Sequence, residues 1–87
     1  MKKALVIVQF PYGRDQSDKQ GRCNGLYEFA VEKSKDRQGI ERLDANVWLI
    51  DVASELSFLA WLLQGLESIG ISRRVAFLAE PVEWITA

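Results

Sequence analysis

Three runs, Leu5-Val6-Ile7-Val8, Val47-Trp48-Leu49-Ile50 and Val75-Ala76-Phe77-Leu78, are apolar at every position. Nothing else in the chain constrains the fold as much. Runs this short, rich in β-branched and aromatic residues and bounded by polar or turn-forming ones, read as strands. Successive strand residues point to opposite faces, so a strand that is apolar at both parities needs cover on both sides. The chain has 87 residues, enough for one hydrophobic core but not for two. The strands therefore belong to a single domain spanning 1–87.

Between the strands the pattern changes. The first strand is expected from about Lys3 to Phe10, with Pro11 as its stop, since proline cannot continue a central ladder. Residues 11–25 contain Gly13, Gly21 and Gly25, mixed charge and no periodicity. They predict a long loop, the most mobile part of the chain. Leu26–Lys35 predicts a helix capped by Asn24, with Glu28 and Glu32 on its exposed side. The alternation of Tyr27, Phe29 and Val31 also fits a strand, and both readings stay open. Gly39 marks the exit. Ile40–Leu43, the turn Asp44-Ala45-Asn46, and Val47–Ile50 predict a hairpin whose short polar first arm suits a sheet edge.

Ser54–Ile69 carries the clearest helical signal. Ser54 is a good N-cap, Glu55 suits the positive end, and Gly70 is a good stop. At 100° per residue, Leu56, Leu59, Leu62, Leu63, Leu66 and Ile69 share a face, and Trp61 sits at its border. A last strand is expected over about Arg73–Ala79. Pro81 interrupts it, and Val82–Ile85 could add a short edge strand.

Composition excludes whole classes of chemistry. There is no histidine, which removes serine–histidine triads, histidine general bases and histidine-bearing zinc sites. Cys23 is the only cysteine, so no internal disulfide or cysteine-rich metal cage can form. A lone thiol suits a reducing cytoplasm, the expected location. Lys2-Lys3 before Ala4–Val8 faintly resembles a signal peptide, but the apolar run is too short and lacks a small-residue cleavage site. No apolar stretch approaches the roughly 18–20 residues needed to cross a bilayer, so no membrane partner is expected. The formal net charge of −1 gives no bulk attraction to nucleic acid. The charge is nonetheless uneven: residues 1–42 hold nine basic and six acidic side chains, and residues 43–87 hold two and six.

The order strand, helix, short hairpin, long helix, strand is βαββαβ, the α/β (α+β) ferredoxin-like sandwich: an antiparallel sheet with two helices on one face. A three-stranded βαβαβ sheet without Ile40–Leu43 is the alternative. The segment Arg42-Leu43-Asp44-Ala45-Asn46-Val47-Trp48-Leu49-Ile50 followed by a helix, with a late apolar strand and a Pro-x-x-Trp tail, resembles one group. That group is the small ferredoxin-like proteins around the CRISPR-associated adaptation nucleases and their toxin–antitoxin relatives. The resemblance covers the C-terminal half. It implies a homodimeric sheet protein, in some members a metal-dependent nuclease with an aspartate ending the first strand. Here that strand ends Gln9-Phe10-Pro11, so the fold carries over more readily than the activity.

Candidate sites are few. Asp15 and Asp18, beside Gly13 and Gly21, have the oxygen chemistry for a hard cation, but match no known loop and read as solvated; no metal or cofactor is expected. Tyr12, Arg14, Lys19 and Arg22, with Tyr27 nearby, combine phosphate-gripping cations with stackable rings, the makings of a nucleic-acid contact. Cys23 lies next to Arg22 but has no histidine base, so no catalytic residue is assigned. Arg73-Arg74 reads as an edge charge against aggregation. Trp48, Trp61 and Trp84 are the candidates for a partner surface, with Trp48 divided between core and dimer interface. The expected function is a homodimeric binding or regulatory module without catalysis, paired with a second copy through the sheet. The alternative is a nucleic-acid-processing protein, a metal-dependent nuclease or ribonuclease toxin.

Overall fold

The computed structural model describes residues 2–79. Strand β1 (Lys3–Val8) is followed by a 3-10 turn (Arg14–Gln16) and helix α1 (Ser17–Ser34). Then come β2 (Ile40–Asp44), β3 (Val47–Asp51), helix α2 (Val52–Ile69) and β4 (Arg73–Leu78). The four strands form one sheet in the order β2-β3-β1-β4 with every neighbouring pair antiparallel. This is the ferredoxin-like βαββαβ arrangement. Ile40–Asp44 pairs with β3, which removes the three-stranded alternative. Among the described residues, no helix is long and apolar enough to cross a membrane.

Parity sorts the strand residues. Ala4, Val6 and Val8 of β1 and Trp48 and Ile50 of β3 are buried in one cluster with Phe58, Leu59, Leu62 and Leu66 of α2 and Cys23, Tyr27 and Ala30 of α1. That is the helix-covered face. Leu5, Ile7, Val47 and Leu49 point the other way. The two helices meet where α2 has Gly65: a Cβ there would lie 2.7 Å from a methyl carbon of Leu26. Glycine at this point sets how closely the helices approach.

The structure corrects the sequence reading in four places. Residues 17–25 are helix rather than mobile loop, and Asn24 lies inside α1 instead of capping it. The apolar signal was there: Cys23, Tyr27 and Ala30, spaced i, i+4, i+7, all face the core. It is easily missed because cysteine counts here as a small hydrophobe. An Asp18–Arg22 ion pair at i,i+4 supports the exposed side. Second, α2 starts two residues early, at Val52. Asp51, not Ser54, caps it, accepting from the N–H groups of Ala53 (3.0 Å) and Ser54 (3.5 Å).

Third, α2 bends at Glu55 (φ −127°, ψ 32°), and its buried stripe runs through Phe58, Leu59, Leu62 and Leu66. Phe58 pulls the centre of that stripe away from Leu56, which is 58% exposed, and Leu63, which is half-buried. Fourth, Trp48 is fully buried on the helix side. It shares the parity of Val6, its cross-strand partner, so it is a core residue and not a partner surface. Boundaries shift by a residue or two elsewhere: β1 ends at Val8, β2 reaches Asp44 and β4 stops at Leu78.

Candidate ligand-binding crevice at one end of the sheet

Beyond Val8 the chain leaves the sheet, and two backbone bonds fix that exit. Val8 N–H donates to Asn46 O (2.8 Å) in the β2–β3 turn, and Gln9 N–H donates to Ser72 O (2.8 Å) just before β4. The Gln20 side-chain amide donates to Pro11 O (2.6 Å), holding the segment after β1 against α1. Three connections thus converge at one end of the sheet.

Around that end runs a series of depressions that share walls. One, of about 470 Å³, lies between Gln9, Ser72, Arg73 and Arg74. It shares Gln9 and Ser72 with the next, of about 510 Å³, walled by Phe10, Tyr12, Gln16 and Lys19. That one shares Phe10 and Tyr12 with a third beside Asn24, Tyr27, Arg42 and Asn46. The last continues past Arg42 along α1 to Val31.

An aromatic series leads inward from this crevice. Ring centroids lie 5.3 Å apart for Tyr12–Phe10, 6.4 Å for Phe10–Tyr27 and 6.3 Å for Tyr27–Trp48. The series continues through Phe58 to Trp61 on α2. Such tilted pairs are favourable geometries for aromatic packing. Tyr12, at the outer end, is 76% exposed. Tyr27 is buried, and its hydroxyl donates to Asn46 Oδ1 (2.7 Å). The Arg42 guanidinium lies over both Tyr27 (5.0 Å) and Trp48 (5.1 Å). Its Nε and Nη2 donate to Ala45 O at 3.2 and 2.7 Å, so its plane is held in place.

Cys23 is buried beneath this layer, and burial pushes its thiol pKa up. Burial also pushes Tyr27 up, with the neighbouring Cys23 adding to the rise. The helix turns Cys23 inward and Arg22 outward to Asp18 (3.4 Å), so Arg22 does not activate the thiol. A folded-state pKa above the unfolded one means that the unfolded chain loses its proton first. Stability from both groups is therefore complete below the unfolded values, 9.0 for the thiol and 10.0 for the phenol, and is lost as pH rises beyond them. Denaturant titrations stepped upward from about pH 8 should show falling unfolding free energy, with a shallower fall in Cys23→Ala. A flat profile to about pH 11 would contradict this burial of the pair.

The structure brings together only part of the predicted nucleic-acid set. Tyr12 and Lys19 share a wall of the crevice, and Lys19 reaches over Gly70 at the C-terminal end of α2. That helix has no basic residue in its own last turn, so a cation there suits its dipole. Arg14 is exposed on the 3-10 turn, and Arg22 points away toward Asp18. Sequence reasoning missed Arg42, Asn24 and Asn46 as lining residues. The signal for Arg42 was its place opposite Trp48 across the hairpin. Arg73 pairs with Glu67 at 2.6 Å, and Arg74 is exposed on the edge strand.

Trp61 is half-buried against Phe58, with Lys33 Nζ 5.0 Å from its ring centre. Trp84 lies outside the described residues. Asp15 is exposed and Asp18 is paired with Arg22; among the described residues no three ligand-type side chains gather as a metal site would need. No family model matches the chain, and no curated protein or solved structure does either.

Proposed function

We propose that this domain is a homodimeric binding or regulatory module without catalysis, pairing through the sheet face opposite its helices. The observation that carries the reading is a row of side chains across that face. Ala76, Leu5 and Leu49 stand side by side on β4, β1 and β3, with Ala76 exposed, Leu5 half-buried and Leu49 already buried within the chain. Ile7 and Val47 form the next pair, and Ile7 is 42% exposed on a central strand. A sheet face that meets water is normally polar at these positions. Covering such a row removes apolar area from water at about 25 cal/mol per Å². A second copy needs only one self-complementary surface to do so.

The chemistry of the crevice also favours binding over catalysis. The one thiol of the chain, Cys23, lies buried beneath it with a raised pKa, and the buried phenol of Tyr27 is tied to Asn46. The proposed location is the cytoplasm, with which a single cysteine is in keeping.

Sedimentation equilibrium at micromolar concentration should give twice the 9.9 kDa chain mass. Ala76→Glu places a charge at an exposed position on β4, at one end of the row and next to Leu5, and should return the monomer with an unchanged circular dichroism spectrum. A wild-type monomer across the concentration range would mean that the face is covered within the chain.

A further inference from the structure

We propose that the crevice at the end of the sheet binds single-stranded nucleic acid. This goes beyond the dimer reading and does not depend on it. The charge of the crevice differs from that of the chain as a whole. Lys19, Arg42, Arg73 and Arg74 line it, while Glu28 is its one acidic wall residue among those described. Among the described residues Lys19, Arg42 and Arg74 make no ion pair. Cations spread along a groove track a phosphate backbone.

Between these cations stands Tyr12, 76% exposed at the junction of two depressions. The core does not need a ring at that position. An exposed tyrosine in a basic groove is a platform on which any base can stack. The Arg42 plane, held over Tyr27 by its bonds to Ala45 O, is a second flat surface of the kind used against unpaired bases. Gln9, Gln16, Asn24 and Asn46 add amide donors and acceptors along the same path, suited to base edges and sugar hydroxyls.

Shape selects the single strand. The crevice bends around the end of a domain whose smallest extent is 20 Å. A flexible strand follows such a bend, whereas a duplex with a persistence length of about 150 base pairs does not.

Fluorescence anisotropy with a labelled oligouridylate of about 12 nucleotides tests this, a length within the footprints of other single-strand folds. Binding should weaken with salt at a log–log slope of about −2, as expected for three phosphate contacts on a single strand. Tyr12→Ala, an exposed change that leaves the core intact, should weaken binding roughly 5- to 150-fold, as loss of one stacked base does. Arg22→Gln, outside the crevice, should bind as wild type. A duplex of the same sequence should compete poorly. The monomeric Ala76→Glu variant should still bind, which separates this result from the oligomeric one. No binding at low salt would overturn the assignment. So would binding indifferent to Tyr12→Ala, or displacement by a polyglutamate peptide as effective as displacement by unlabelled oligouridylate.

Discussion

Trp48→Ala is expected to lower the unfolding free energy by about 3–5 kcal/mol, the largest effect of any single change in this domain. Trp48 is fully buried, opposite Val6 on the central strand, and ringed by Tyr27 and Phe58. Removing it opens a cavity where sheet, α1 and α2 meet. Arg42 loses one of the two rings beneath it. A domain with about 5–15 kcal/mol of total stability would be brought close to unfolding. The indole N–H has no hydrogen-bond partner among the described residues, so the ring contributes by volume and contact rather than by polarity. Trp48→Phe should accordingly recover most of the loss, since it discards no hydrogen bond. Urea denaturation midpoints measure both. A Trp48→Ala midpoint within error of wild type would contradict the placement of this residue in the core.

The second large effect belongs to α2. Leu62→Ala should cost about 2–5 kcal/mol, because Leu62 is fully buried at the centre of the stripe running through Phe58 and Leu66. Leu63→Ala, at the half-buried flank, should cost less, and Leu56→Ala, 58% exposed, should stay within about 0.5 kcal/mol of wild type. The order of the three midpoints locates the buried face of α2. If Leu56→Ala or Leu63→Ala proved as costly as Leu62→Ala, the stripe would be rotated from where the structure puts it.

Those two residues also show what was legible in the sequence. The element order and sheet class could be read from three short apolar runs bounded by polar or turn-forming residues and from one periodic helix. The orientation of α2 could not be read from its leucines alone. Six leucine or isoleucine positions fit one arc, and Phe58 decides which edge of that arc turns inward. The bend at Glu55 coincides with a tertiary contact, the Arg37–Glu55 pair at 3.4 Å, that no local pattern encodes. Residues 17–25 were hidden by Gly21 and Gly25, which weaken helix propensity without breaking the helix when Cys23, Tyr27 and Ala30 supply the buried stripe. Tyr12 and Lys19 were legible as candidates because ring and cation stand close together in the chain. Arg42 was not, because its role comes from lying on β2 directly opposite Trp48 of β3, a relation that exists only once the hairpin is paired.

Whether a second copy covers the sheet face away from the helices decides whether this domain pairs as proposed. Isotope-filtered nuclear Overhauser spectroscopy on a mixture of labelled and unlabelled copies reports this contact directly. The methyl groups of Leu5 and Ile7 should show cross-peaks between copies, and Val6 and Ile50, on the helix side, should show none. If every contact of Leu5 and Ile7 arose within one copy, the dimer through this face would be contradicted.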